Sequence, residues 1–210
     1  MSRSPNGNRL YRYTNSAALI DLLLNEHLTL LDPQTWDDKN DTAYMKKYKE
    51  VRGLKSFLAL CLTEASETYH HWSIFSGRSD GVRIEFNKEK LLNHFLDVPN
   101  FSHSNVQYRK IPNSGTAQWK ISDLPFIKRL PYQDEGEYRL TYEDKENEIK
   151  AKSFTISLNC IERITISPWM PKPLFNSLKK ILKRIEGCSE LKIHHSTLVY
   201  NKNWIGALSS

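Results

Sequence analysis

The 210-residue chain is short of glycine, with 8, and contains no G-x-G-x-x-G, no P-loop, no H-E-x-x-H and no G-x-S-x-G. A phosphate-cradling glycine loop, a zinc-protease helix and a nucleophile elbow are therefore not expected. Long apolar runs are also missing. The longest is Phe57 to Leu62, where a bilayer-spanning helix needs about 20 residues, so no membrane partner is expected. Cysteine is sparse: Cys61, Cys160 and Cys188 lie far apart, odd in number and without a C-x-x-C pair. That pattern argues against a disulfide scaffold or a zinc cluster and for a reducing compartment. The stretch Met1 to Asn8 is polar and lacks the apolar segment of a secretory leader, so a cytoplasmic location is expected.

Aromatic side chains, by contrast, are plentiful: 5 Trp, 10 Tyr and 8 Phe are too many for a disordered chain. The length suits one domain with a substantial core. The expected layout is a flexible N-terminus over 1–8, one globular α+β domain over 9–205 and a tail over 206–210. Charge is unevenly spread along it. Residues 1–105 hold 13 basic and 13 acidic side chains, whereas 106–210 hold 17 and 11, the source of the net +6. An acidic island spans 134–148, and residues 149–210 then carry 10 basic against 3 acidic groups. A basic carboxy-terminal part can meet a phosphate-rich partner, or it can be the wet face of a helix.

Periodicity places the elements. Arg9 to Thr14 reads as a strand, Ser16 as the cap of a helix over Ala17 to Asn25, and Leu28 to Leu31 as a second strand. Trp36 to Asp41 is polar and turn-like, and Met45 to Lys55 reads as a charged helix or linker. Phe57 to Leu62 is a buried strand. Ser66 caps a helix running to Phe75. Val82 to Phe86 alternates as a half-exposed strand, and Asn87 caps a further helix. Strands are expected at Val106 to Lys110, Glu137 to Tyr142, Phe154 to Leu158, Ile161 to Ile166 and Leu191 to Tyr200. A helix from Pro173 to Glu186 carries Leu174, Phe175, Leu178, Ile181, Leu182 and Ile185 as one apolar stripe. Strands and helices mix without regular alternation, which implies an α+β fold with a mixed, mainly antiparallel sheet and flanking helices.

Four groups of residues could carry chemistry. Glu135 and Glu137 flank Gly136; on a strand, i and i+2 point the same way. Paired carboxylates suit a site where one binds and the other stabilises developing positive charge, and glycine between them admits a ligand. The plain alternative is an exposed acidic edge strand. Arg12, between Tyr11 and Tyr13, offers a bidentate phosphate or carboxylate contact, or is an exposed strand charge. His70-His71-Trp72 hints at metal, but neighbouring histidines on a helix diverge and no third ligand has fixed spacing, so no metal is expected and Trp72 reads as core or pocket wall. Lys179, Lys180, Lys183 and Arg184, near Trp169 and Trp204, could grip nucleic acid, or simply line a solvated helix face.

These segments resemble the bacterial family called domain of unknown function 2971. The resemblance rests on Leu10 to Tyr13, the loop Trp36 to Asp41 with its N-D-like pair, Trp72 to Phe75, Gly81 to Phe86, and Glu135 to Arg139 with Lys128 upstream. The chain departs from the family pattern at Asp38-Lys39-Asn40-Asp41 and at Phe75. More distantly, the opening strand–helix–strand, the middle strands and the closing E-x-E look like ADP-ribosyltransferase folds. That resemblance implies NAD as substrate and a role in toxicity or phage defence. It assigns Arg12 to the pyrophosphate or ribose of NAD, Thr63 to the Ser/Thr position with Thr14 as helper, and Glu137 to catalysis, with Glu135 beside the acceptor; Tyr13 and Trp72 are further candidates for binding the nucleotide. The other reading is a non-catalytic nucleic-acid-binding module using the basic carboxy-terminal part.

Overall fold

A computed structural model describes residues 8–111 and 119–207. The expected N-terminal segment and the end of the expected tail fall largely outside them. In chain order the elements are strand β1 (Arg9–Asn15), helix α1 (Ser16–Asn25), β2 (His27–Leu31), α2 (Lys39–Arg52), β3 (Ser56–Thr63), α3 (Tyr69–Phe75), β4 (Gly81–Asn87) and α4 (Lys88–Asn93). There follow β5 (Phe101–Asn105), β6 (Gln107–Arg109), β7 (Ile127–Arg129), β8 (Glu137–Asp144), β9 (Ala151–Thr155), β10 (Ile161–Ile166), α5 (Lys172–Leu182), β11 (Ile193–His195) and α6 (Lys202–Gly206). The fold is α+β, and the described strand pairs are antiparallel except β6–β7 and β10–β11. Among the described residues no helix is long and apolar enough to cross a membrane. The chain divides into two compact units.

The first unit comprises Leu28–Ala65 and Leu92–Thr155. Its spine is β3 paired with β8 along their full length, Thr63 facing Glu137 and Ser56 facing Asp144, with β5 on the other edge of β8. Facing residues in a ladder share a side of the sheet. One side therefore carries Leu58, Leu60 and Leu62 with Tyr138, Leu140 and Tyr142, all buried. Phe101 of β5 joins that side and stacks on Phe95 at 4.3 Å. The other side carries Phe57 and Ala59, which pack with Met45 and Tyr48 of α2, Leu54 and Leu124. At its far end this side turns polar, with Cys61, Thr63, Glu137 and Arg139.

Helix α2 starts earlier than its sequence suggests. Asp38 caps it by accepting from the backbone N–H groups of Asn40 and Asp41, so the stretch read as a turn supplies the first helical turn. Gly53, at φ 63°, ends it.

The second unit comprises Asn8–His27, Ser66–Leu91 and, among the described residues, 156–207. β4 is its centre, antiparallel to β1 on one edge and to β10 on the other, with β11 parallel to β10. Asn15, not Ser16, caps α1, whose Leu19, Leu22 and Leu23 are buried. Thr68, not Ser66, caps α3. The strand Val82 to Phe86 is buried on both sides, not half-exposed. Ile84 faces Ile164 on one side, while on the other Arg83 lies 4.3 Å from the Tyr11 ring centroid and 3.3 Å from Glu67. Helix α5 ends at Leu182, and only Phe175 and Leu182 of its expected stripe are buried. Leu174 and Ile181 are exposed because the helix presents a narrower face to the core than six apolar positions imply. The expected final strand shrinks to Ile193–His195.

Candidate active site

The chemistry-bearing residues of the first unit meet at the start of β8. The turn that delivers Glu137 is held from several sides. Glu135 closes a 3-10 turn over Leu130–Glu135, and Gly136 takes the left-handed conformation at φ 52°. A Cβ there would lie 3.1 Å from the Ala65 Cβ, so glycine serves both backbone and packing. Thr63 Oγ donates to the Glu135 carbonyl at 2.5 Å and accepts from the Ala65 N–H at 2.9 Å. The Glu137 N–H donates to Tyr108 Oη at 2.8 Å. Glu135 therefore reaches the site from a turn, not by strand alternation as its spacing suggests. Both carboxylates are buried, which replaces the exposed acidic edge with an enclosed site.

Five charged side chains form one cluster. Lys128 on β7 places Nζ 2.5 Å from Glu135 Oε2 and 3.3 Å from Glu137 Oε2. Arg139, two residues along β8 on the same face as Glu137, is fully buried and donates Nε to Glu137 Oε1 at 2.7 Å. Its Nη1 and Nη2 reach the two oxygens of Asp41 in α2 at 3.1 and 2.9 Å, and Nη1 also donates to the Pro125 carbonyl at 2.8 Å. The guanidinium lies 5.0 Å from the Trp36 ring centroid.

The electrostatics follow from these distances. Burial pushes the Glu137 carboxyl up, but Arg139 and then Lys128 outweigh it and hold it below its ordinary value. Burial likewise works against the Lys128 cation, and Glu137 and Glu135 overturn that to raise its pKa. Asp41 is raised by burial, against the pull of Arg139. Glu137 thus stays ionised at neutral pH inside an enclosed site. Cys61, beside Arg139 in the register, is accessible to solvent, yet the protein packed round its thiol, and then the Glu137 charge, push its pKa well above the ordinary value.

A cavity of about 340 Å³ adjoins the cluster, with Lys128 and Asp41 in its wall. Lys39, Arg109, Lys110 and Arg129 also line it, so five basic residues border it against Asp38 and Asp41, the latter with its carboxylate turned to Arg139, and Trp119 and Tyr44 form aromatic wall. Cations around an aromatic-walled cavity suit a phosphate-bearing ligand with a planar base.

Of the residues singled out from the sequence, Thr63, Glu135 and Glu137 come together here. Arg12, Tyr13, Thr14 and Trp72 belong to the second unit. There Tyr13 and Trp72 meet edge to face at 5.2 Å, and Trp72 is fully buried, donating Nε1 to Glu67 at 2.7 Å. Arg12 and Thr14 alternate to the opposite side of β1, facing Ile84 and Val82, where Asp21 of α1 feels the Arg12 charge. His71 stacks on Tyr13 at 5.2 Å with Thr68 Oγ 2.6 Å from its Nδ1. Among the described residues no group of three or more His, Cys, Asp or Glu is placed to hold a metal. Lys180 and Arg184 are exposed; Lys179 and Lys183 are half-buried, the latter bonded through Nζ to the Ser189 carbonyl. Asp41, Arg139, Tyr108 and Cys61 were given no role from the sequence. The visible signals were the Asn40-Asp41 pair and the arginine that closes Glu135 to Arg139.

No family model matches the chain, that of domain of unknown function 2971 included, and no curated protein matches its sequence. Among solved structures, those of DarT from Thermus sp. 2.9 in complex with NAD+ and with carba-NAD+ are similar. Each is 12% identical with a TM-score of 0.49, and the match covers 94% of this chain and 99% or 100% of theirs. A likeness at that level leaves the site to be read from its own geometry.

Proposed function

We propose that the chain is an NAD-dependent ADP-ribosyltransferase or NAD hydrolase in which Glu137 is the catalytic carboxylate. The observation that carries this reading is the buried, ionised Glu137, with one oxygen clamped by Arg139 and the other shared with Lys128, beside a cation-lined cavity. The order of Arg12, Thr63 and the E-x-E pair along the chain supports it. In this reaction the bond between nicotinamide and ribose breaks, and neutral nicotinamide leaves with the bonding electrons. The ribose becomes oxocarbenium-like. A fixed carboxylate that accepts a hydrogen bond from a ribose hydroxyl stabilises that charge where it develops. Water or an acceptor nucleophile then forms the new bond at the same carbon and loses its proton, with Glu135 beside the acceptor. The cavity cations offer a counter-charge to the pyrophosphate. The resemblance gives Arg12 an anchoring role on NAD, which Arg12→Ala tests. Draining NAD or modifying a macromolecule would suit a toxin or phage-defence effector.

The test is NAD labelled on the adenylate side, incubated with the protein, with and without nucleic acid or lysate, beside Glu137→Gln and Arg12→Ala. Nicotinamide release should fall by about 10²–10³-fold in Glu137→Gln. Arg12→Ala should raise KM. A Glu137→Gln protein with full activity would overturn the site. No release from folded protein under any condition would favour the nucleic-acid module, whose binding through Lys179, Lys180, Lys183 and Arg184 must weaken steeply with salt.

A further inference from the structure

Arg139 divides its donors in an unusual way. Nε and Nη2 both lie 2.7 Å from a single oxygen of Glu137, Oε1. The other edge of the guanidinium is engaged by both oxygens of Asp41 and by the Pro125 carbonyl. Arg139 and Asp41 side chains are 0% and 1% exposed, so breaking their pair would leave a buried charge without its partner. The guanidinium cannot turn without breaking contacts to a helix, a turn and its own strand. Oε1 is therefore saturated and fixed.

Oε2 is in a different position. Its charged partner is Lys128 at 3.3 Å, and Lys128 stands closer to Glu135, at 2.5 Å, and also borders the cavity. If a ligand hydroxyl takes the longer contact, Lys128 keeps its nearer partner, Glu135. One oxygen of Glu137 is thus held and the other is releasable toward a ligand.

We infer that the Asp41–Arg139 pair is the positioning device of this site, pinning Glu137 Oε1 so that Oε2 alone meets the substrate hydroxyl. The inference rests on the reading of Glu137 given above. Asp41 and Arg139 act through Glu137, with no contact to the reacting atoms. A lysine at 139 would keep the charge but lose the fork that spans two carboxylates. A misplaced carboxylate loses rate out of proportion to any loss of binding.

The experiment compares the wild type with Arg139→Lys, Arg139→Gln and Asp41→Asn, each checked for folding by thermal melting. Nicotinamide release is followed against pH, and the Glu137 carboxyl is titrated by ¹³C NMR, assigned with Glu137→Gln. Arg139→Lys and Asp41→Asn should keep KM within about twofold and lose about 10–100-fold in kcat. Arg139→Gln should move the Glu137 titration, and the acid limb of kcat/KM with it, upward by about one pH unit or more. A merely structural pair would lower the melting temperature and leave kcat per folded molecule and the titration where they were. Folded Arg139→Lys with wild-type kcat, or Arg139→Gln with an unmoved Glu137 titration, overturns the inference. The titration needs no turnover, so a wild type that releases no nicotinamide defeats the NAD reading while the titration still decides whether Arg139 governs Glu137.

Discussion

Lys128→Met isolates the charge that bridges the two carboxylates, because methionine keeps most of the stem that packs near Tyr132, whose ring centroid is 4.9 Å from Nζ. The lysine side chain is 10% exposed and its partners Glu135 and Glu137 are 9% and 5% exposed. Removing one member of a buried ionic group costs about 3–5 kcal/mol, which for a chain of this size lowers the melting temperature by about 6–20 °C. The pH dependence identifies the cause. In the wild type the folded pKa of Glu137 is depressed, so its contribution is complete above the ordinary value of 4.5 and is lost as pH falls through the folded value. Lys128 is raised, so its contribution is complete below its ordinary value of 10.5 and is lost only as pH climbs through the folded one. Both are intact at neutral pH. In the variant Glu135 loses the lysine it shared with Glu137, which keeps Arg139, and the repulsion between the two buried carboxylates raises the pKa of one above its unfolded value. That penalty is absent below the unfolded pKa and grows as pH rises toward and through the raised one. Urea unfolding followed by tryptophan fluorescence should therefore show a larger deficit at about pH 8 than at about pH 5. A deficit under about 1 kcal/mol, or the same deficit at both pH values, would refute the reasoning.

Gly136→Ala forces a side chain into the left-handed region and against Ala65, which should cost about 1–2 kcal/mol and reduce nicotinamide release beyond what the lost stability explains, since the residue delivers Glu137. Melting curves with activity per folded molecule check it, and unchanged values in both would contradict the role given to the turn. Cys61, the exposed cysteine of the three, should react with iodoacetamide at neutral pH about tenfold or more slowly than free cysteine, and faster in Glu137→Gln, which removes one cause of its raised pKa. Mass spectrometry of the Cys61 peptide gives the rate; a rate equal to that of free cysteine would mean the thiol does not feel the cluster.

The sequence made most of the strands and the carboxylate pair readable because these depend on neighbours in the chain, whereas β5 and β7 carry no local pattern that announces them. Leu58, Leu60 and Leu62 announce β3, and Glu135 with Glu137 announce a site. The conformation of Gly136 was not readable, and it moves Glu135 off the strand into a turn. Nor was Asp41, since its meaning depends on Arg139, 98 positions away, and its segment looks like a polar loop until Asp38 is known to cap a helix. The alternation of Val82 to Phe86 suggested a wet face because charged residues are rarely buried. Here Arg83 and Glu85 are buried through ion pairs with Glu67 and Arg9, partners that no local pattern reveals. Helix α5 shows the opposite error: its amphipathic pattern is real, but the width of the face it buries is set by the elements around it.

The pairing of β3 with β8 also has a consequence for synthesis. β3 is the most continuously apolar segment of the chain, and its full-length partner ends at Asp144, 81 residues after Thr63. At about 5–20 residues per second, roughly 4–16 seconds separate the emergence of the two strands from the ribosome. Through that interval one edge of β3 offers open backbone to other chains, and Asp41 waits for the arginine that neutralises it. The same long-range joint that assembles the charged cluster in the finished protein makes the nascent chain dependent on protection, by chaperone or by speed, until β8 arrives.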